Sequence, residues 1–431
     1  LQYNKCPSEA LTEKAAAIIF PQDCYIIGNR RINKEADDMH SFTFHSPTEV
    51  VFGKDSEQQI AQEIIKYGGS RVFVVYGGGS VVKSGLLQKI EELLAAAGLP
   101  FESLGGVQPN PRLAYARSAV DRAKLFEADF ILAIGGGSVI DTAKAIAHGT
   151  ANPNTDIWSF WTGEKLVEKS LPVGVVLTIS AAGSETSDSA VLTNEETHSK
   201  IGLSTDFNRP RFAVMNPELT FTLPPFQVAC GIVDIMMHTL DRYFTPTEGN
   251  ELTDEIAEAV LRVAIRNGTP AMEDSHNYQP MSELMWCGSI SHNGLTGLGA
   301  LRDFAPHKLG HELSGKFDAA HGASLSTVWG SWAKYCYHQK IERFVQFADK
   351  VWGIRKSSDE ETALAAIDAT VSYFASLGMP TCFSELGIGV QSEDVLQDLA
   401  ARCVSYGRPK IGGFRELGRE DIYLIYQMAN H

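Results

Sequence analysis

One pattern constrains this chain more than any other: a regular alternation that stops abruptly halfway. Between Asp55 and Ile179, short β-branched runs at 71–77, 100–106, 129–137 and 172–179 take turns with apolar-periodic stretches at 57–67, 84–97, 112–126 and 138–148. Strands separated by helices cannot close hairpins with one another, so they align in a mostly parallel sheet whose faces the helices cover. Beyond Pro217 and the Pro224-Pro225 pair the strand-like runs vanish and helical patterns follow one another. Examples are 251–268, with Gly268 placed to stop it, and 359–378, closed by Gly378 and Pro380. The expectation is an α/β first half, an all-helical second half and a boundary near 218–226.

At the start, Phe42, Phe44, Val50, Val51 and Phe52 alternate as a strand pair entering the first domain. Residues 1–38 lack the cationic start, apolar core and small-residue cleavage site of a secretory signal. Lys34-Glu35-Ala36 can be encoded by a purine-rich ribosome-binding sequence just before Met39, so Met39 is expected to be the natural start and 1–38 a leader or extension outside the fold.

Composition narrows the partners. With 52 acidic and 37 basic residues the net charge is −15, which repels nucleic-acid phosphates and anionic lipid. No apolar run approaches the roughly 18 residues of a membrane span. Seven scattered cysteines, without a CxxC pair, match a reducing cytoplasm. The expected protein binds neither nucleic acid nor membrane and works in the cytoplasm.

Two glycine turns stand at carboxyl ends of strands: Gly77-Gly78-Gly79-Ser80 after RVFVVY, and Gly136-Gly137-Ser138 within GGGSVIDTAK. In an open parallel sheet that edge binds ligands, and backbone N–H groups at a helix start favour phosphate. Two such turns point to a dinucleotide. Asp141, one turn into the second helix, suits either a cofactor contact or the helix dipole. The GxGxxG fingerprint is absent. No acid occurs in 76–80 to grip a ribose hydroxyl, whereas Ser80 and Lys83 could contact a 2′-phosphate, so NADP is favoured over NAD.

The second half carries Asp234 and His238 four residues apart, then His307 and His311 at the same spacing, and His321 ten residues later. Four-residue spacing puts both members of a pair on one helix face. Imidazoles with a carboxylate suit Fe(II), Zn, Mn or Ni and disfavour Mg or Ca. The remaining histidines, His292 and His148 among them, read as surface or packing residues.

With these motifs, the PNP segment and the HKLGHEL run in view, the sequence from Met39 to His431 resembles the iron-containing, group III alcohol dehydrogenases, particularly their NADPH-dependent aldehyde reductase and butanol dehydrogenase branch. The resemblance implies a dehydroquinate synthase-like architecture, with an NADP-binding domain over 39–222 and a helical catalytic domain over 223–431. It implies one divalent metal, Fe(II) or Zn(II) with Ni or Mn as alternatives, held by Asp234, His238, His307 and His321. His311 would lie near the reacting carbon, completing a catalytic group with Asp234 and His307. Cofactor contacts would come from Gly77, Gly78, Gly79, Ser80, Asn110, Gly136, Gly137, Ser138, Asp141, Thr178 and Lys200. A small aldehyde or alcohol substrate and a homodimer are implied too. One departure is that the chain reads TISAAGSE where the family has TTAGTGSE, so Ala182 replaces a Thr. Rival readings are a glycerol or polyol dehydrogenase, a dehydroquinate-synthase-like lyase, a metal-dependent hydrolase and a non-catalytic metal-stabilised scaffold.

Overall fold

The computed structural model describes residues 39–404 and 409–431; the expectation for residues 1–38 lies outside them. Six strands form one parallel sheet: β1 (Glu49–Phe52), β2 (Val72–Tyr76), β3 (Phe101–Leu104), β4 (Phe130–Gly135), β5 (Val173–Leu177) and, numbered after a separate hairpin, β8 (Phe212–Met215). Their order is β1-β8-β5-β4-β2-β3. Alternate residues of the central strands serve opposite faces: Phe73, Val75, Ile131, Ala133 and Val175 pack into one core, Val72, Val74, Leu132, Ile134 and Val176 into another. That double burial explains why these runs are continuously apolar rather than alternating. After β2 the chain adds β3 on one side and then crosses to place β4 on the other. The crevice between the carboxyl ends of β2 and β4 is therefore the switch point at which such sheets take their ligands. Both glycine turns border it.

The four expected strands are each present and one or two residues shorter at their ends, with glycine following β2, β3 and β4. The expected strand pair near the start is a single strand. Glu49 to Phe52 pairs in parallel with Phe212 to Met215, while Phe42 and Phe44 lie outside any strand. Apolar alternation there reflects contact with a distant strand, not with a neighbouring one. The sequence reading also lacked the antiparallel hairpin β6 (Ser189–Asn194) and β7 (Ser199–Ser204), which stands apart from the main sheet. Its serines and threonines hide the period-2 signal.

Beyond β8 the described residues contain helices and no further named strand, packed around a single large core. One helix corrects the sequence reading: it runs Glu251–Glu273, straight through Gly268 and Pro270. Gly268 is no stop signal. A Cβ there would lie 2.1 Å from the Tyr373 hydroxyl oxygen and 3.2 Å from Ile232 Cγ2, so the glycine permits a close helix crossing. The Asp359–Ser376 helix ends as expected, with Gly378 at φ +75°.

Candidate metal centre and cofactor crevice

Three helices carry the candidate ligands. Pro225–Tyr243 begins on a proline, where the missing N–H costs nothing, and holds Asp234 and His238 on one face. Ala305–Phe317 carries His307 and His311, and His321 is the first residue of His321–Cys336. Close approach is what lets them converge. A Cβ on Gly322 would fall 2.3 Å from the Cys230 carbonyl oxygen, and one on Gly231 2.1 Å from that of Ser180. The first glycine seats the His321 helix on the Asp234 helix; the second presses the Asp234 helix onto the turn after β5.

One ligand atom from each of Asp234, His238, His307 and His321 lies within 4.8 Å of all the others. Asp234 Oδ1 stands 3.4 Å from His238 Nε2, 3.5 Å from His321 Nε2 and 4.0 Å from His307 Nε2. Tetrahedral bonds of roughly 2.1 Å separate ligand atoms by about 3.4 Å. The donors are thus spaced for one cation. Asp234 Oδ1 and His307 Nε2 are also buried without a hydrogen bond, an expensive state unless something else occupies their lone pairs. Burial pushes Asp234 up to about 6 and holds His238 and His321 well below the usual imidazole range, so these rings are neutral and free to coordinate. The residues fit a divalent metal.

Two neighbours of the centre and one buried lysine of the sheet side escaped the sequence reading. The buried Asp241 carboxylate accepts a bond from His307 Nδ1 at 2.6 Å, which leaves Nε2 unprotonated toward the centre. Its signal was the spacing: Asp241 lies two turns beyond Asp234. His292, read as a surface or packing residue, stacks on the His238 ring with centroids 4.0 Å apart, and its Nδ1 bonds the Ala182 carbonyl oxygen. Lys144, the last residue of GGGSVIDTAK, is fully buried, and its ammonium donates to Ser184 O at 2.8 Å, Ser184 Oγ at 2.9 Å and Ser189 O at 2.7 Å. His311 sits beside the four, its ring centroid 5.4 Å from that of His321. Burial holds it well below the usual imidazole range.

On the sheet side, Gly77 follows β2 and Gly78, Gly79 and Ser80 are exposed. Ser80 opens a single helical turn, Ser80–Lys83, and Lys83 Cε would touch a Cβ on Gly79 at 3.7 Å. The second turn leads into the Gly137–Ala151 helix, whose N-terminus no side chain caps. Its half-buried Gly136, Gly137 and Ser138 border the crevice. A Cβ at Gly136 would strike Ile179 Cγ2 at 2.0 Å. An uncapped helix start beside an open glycine turn fits a dinucleotide's phosphates.

Asp141 faces protein partners, accepting from Ser184 Oγ at 2.6 Å and Val191 N at 2.8 Å. Thr178 N bonds Gly135 O at 3.1 Å, tying the turn after β5 to the second glycine turn. Lys200, on β7, donates to Asn110 Oδ1 at 2.9 Å, and Asn110 Nδ2 donates to Asp318 Oδ1 at 2.9 Å. Burial lowers the Lys200 ammonium to about 8. Asn110 thereby joins the sheet half to the helical half. A second chain of contacts does the same: a Cβ on Gly137 would lie 4.0 Å from Ala182 Cβ, Ala182 O meets His292, and His292 stacks on His238. Two residues, Ala182 and His292, span the gap between the glycine turn and the metal centre.

Sequence profiles for two domains match this chain: iron-containing alcohol dehydrogenase over residues 47–217, and the C-terminal domain of the Fe-containing alcohol dehydrogenase family over 228–430. The chain belongs to the iron-containing alcohol dehydrogenase family. It is 40% identical to NADH-dependent butanol dehydrogenase A of Clostridium acetobutylicum over 393 residues, 91% of this chain and 100% of that protein. It is 35% identical to the NADPH-dependent aldehyde reductase YqhD of Escherichia coli, with the same coverage. The crystal structure of NADH-dependent butanol dehydrogenase A from Thermotoga maritima superposes with a TM-score of 0.88 at 34% identity, covering 92% of this chain and all of the other.

Proposed function

We propose that this protein is a metal-dependent, NADPH-preferring alcohol dehydrogenase that interconverts small aldehydes and primary alcohols. The observation that carries this reading is the convergence of Asp234, His238, His307 and His321 within 4.8 Å, joined through His292 and Ala182 to a glycine-lined crevice at the sheet's switch point. A bound divalent cation supplies a Lewis acid for a carbonyl oxygen, and a bound nicotinamide supplies the hydride. The chain's own contribution is alignment and charge. Asp241 holds His307 in the tautomer that coordinates. Lys200 and Asn110 would contact the bound cofactor, and the uncapped helix start at Gly136 and Gly137 would hold its pyrophosphate. His311, neutral by burial, relays a proton: one ring nitrogen gives up its hydrogen toward the substrate oxygen as the other takes one from water.

The cofactor preference rests on the first glycine turn, since relatives named for both nicotinamide forms match the chain. Residues 76–80 carry no acid, and Lys83 folds back along Gly79, suiting a 2′-phosphate. The donor set suits Fe(II), Zn(II), Mn or Ni, and the family resemblance points to Fe(II) or Zn(II). The domains are drawn as 39–222 and 223–431, and a cytoplasmic homodimer is the working assembly. No helix among the described residues is long and apolar enough to cross a membrane. Absorbance at 340 nm with butyraldehyde tests the reading: NADPH should be consumed faster than NADH, in proportion to bound metal. Full turnover by metal-free protein, or no consumption of either cofactor by metal-loaded protein, would end it.

A further inference from the structure

Six non-glycine residues among those described have positive φ. Five of them, Asp55, Asn110, Glu127, His198 and Asp318, are short, polar or charged. The sixth is Phe304, at φ 57° and ψ 11°. A bulky aromatic in the left-handed region is a genuine outlier, and such strain persists only where the surroundings over-determine it. They do so here. The preceding Asp303 donates its N–H to Asp241 O at 2.8 Å, and its carboxylate accepts from Gly413 N at 2.8 Å, Phe414 N at 2.9 Å and Ala305 N at 3.2 Å. On the other side Pro306 stiffens the helix start and Phe304 O accepts from Lys308 N at 3.1 Å. The backbone is clamped on both flanks, and the ring is thrown toward the metal centre.

There the ring lies 5.4 Å from the His307 ring and 6.5 Å from that of His238, centroid to centroid. Arg242 Cζ covers it at 4.8 Å, yet Phe304 stays half-buried, so part of its surface is open. Among the described residues, every other aromatic ring that touches the three ligand imidazoles is itself a histidine. Among the described residues, Phe304 is the one all-carbon aromatic ring in contact with the ligand imidazoles. With its carbonyl oxygen held between those imidazoles, a substrate would have this half-buried ring among the neighbours of its carbon chain.

Building on the aldehyde chemistry proposed above, we propose that Phe304 is a specificity-determining residue: its ring is the apolar wall on which the substrate's carbon chain lies, selecting aldehydes of several carbons over acetaldehyde. The backbone strain is the structural cost of aiming it there.

The test compares Phe304→Ala and Phe304→Gly with wild type, measuring kcat/KM for acetaldehyde, butyraldehyde and hexanal together with bound metal and melting temperature. Lost apolar contact is worth roughly tenfold or more in discrimination. The hexanal-to-acetaldehyde ratio should fall about tenfold in both variants while bound metal stays at the wild-type level. Strain gives a readout independent of activity: at a left-handed position glycine is favoured over alanine, so Phe304→Gly should melt above Phe304→Ala, the reverse of the ordinary order. An unchanged ratio in both variants overturns the proposal, as does an equal fall for all three aldehydes. If Phe304→Ala melts above Phe304→Gly, the strain argument is wrong and the proposal falls with it. If wild type reduces none of the aldehydes, the functional reading itself fails, an outcome distinct from an unchanged ratio in an active enzyme.

Discussion

The sheet half and the helical half build their parts of the site from different materials. Around Gly77–Ser80 and Gly136–Ser138 the working surface is backbone, made available by the absence of side chains. At the metal centre it is four specific side chains, and the helices beneath them exist in that arrangement because glycines let them approach. A surface made of backbone should tolerate most changes that leave the chain's path intact. One made of converging donors should fail when a single donor is lost.

The largest expected effect tests that asymmetry on the helical side. His307→Ala removes one of four donors and leaves Asp234 Oδ1 buried beside a void. Bound metal per chain, measured by inductively coupled plasma mass spectrometry, should fall below about a tenth of wild type, and aldehyde reduction by on the order of 10³-fold or more. Retained metal with lost activity would instead place His307 outside the ligand set.

Asp241→Asn is the next step down. The carboxylate touches no candidate metal position; it holds His307 Nδ1 at 2.6 Å. Loss of such a partner typically costs about 10- to 100-fold in metal affinity. A competition assay with a chromogenic chelator reads this directly, and unchanged affinity would show that packing alone orients the ring.

Acid should separate the halves in another way. On the sheet side His148 is buried, bonded through Nε2 to Asn208 Oδ1 at 2.8 Å and through Nδ1 to Ser170 Oγ at 2.9 Å. Burial lowers it to about 4. The unfolded chain, with an ordinary imidazole near 6.5, binds a proton that the folded chain refuses. The stability His148 contributes is thus complete above pH 6.5 and is lost as pH falls through about 4, on the order of 3 kcal/mol in all. Urea midpoints measured from pH 7 to 4 should fall more steeply in wild type than in His148→Gln. Equal slopes would mean that His148 titrates normally.

This division also explains what could be read from the sequence. The parallel sheet was legible because its strands are buried on both faces and separated by periodic helices. The candidate donors were legible because helical spacing constrains side chains at i and i+4, so Asp234 with His238 and His307 with His311 were visible as pairs, while the choice of His321 over His311 as a ligand came from the family resemblance. Spacing alone did not show the convergence that the resemblance implied, because it depends on Gly231 and Gly322, which in sequence are merely glycines inside helices. Gly268 misled for the same reason. His292 and Lys144 were missed because each acts through a carbonyl oxygen, Ala182 O or Ser184 O and Ser189 O, and carbonyls leave no mark in sequence. Phe304's backbone angle leaves none either.

The smallest effect sharpens the comparison most, because it divides the sheet side within itself. If the glycine turns serve only as open backbone, glycines of equal appearance should respond differently according to what a methyl would meet. A Cβ at Gly78 has nothing within 4 Å, whereas at Gly136 it meets Ile179 Cγ2 at 2.0 Å. Gly136→Ala must therefore displace Ile179 or the strand end, a strain of about 1–3 kcal/mol that should lower the melting temperature by several degrees. Gly78→Ala should leave melting unchanged. Its methyl projects into the open crevice, so its effect should be confined to a several-fold rise in the KM for the nicotinamide cofactor, with kcat for a saturating aldehyde preserved. A melting shift at Gly78 equal to that at Gly136 would show that the first turn is packed rather than open, and the backbone-built half would then differ from the helical half in degree only.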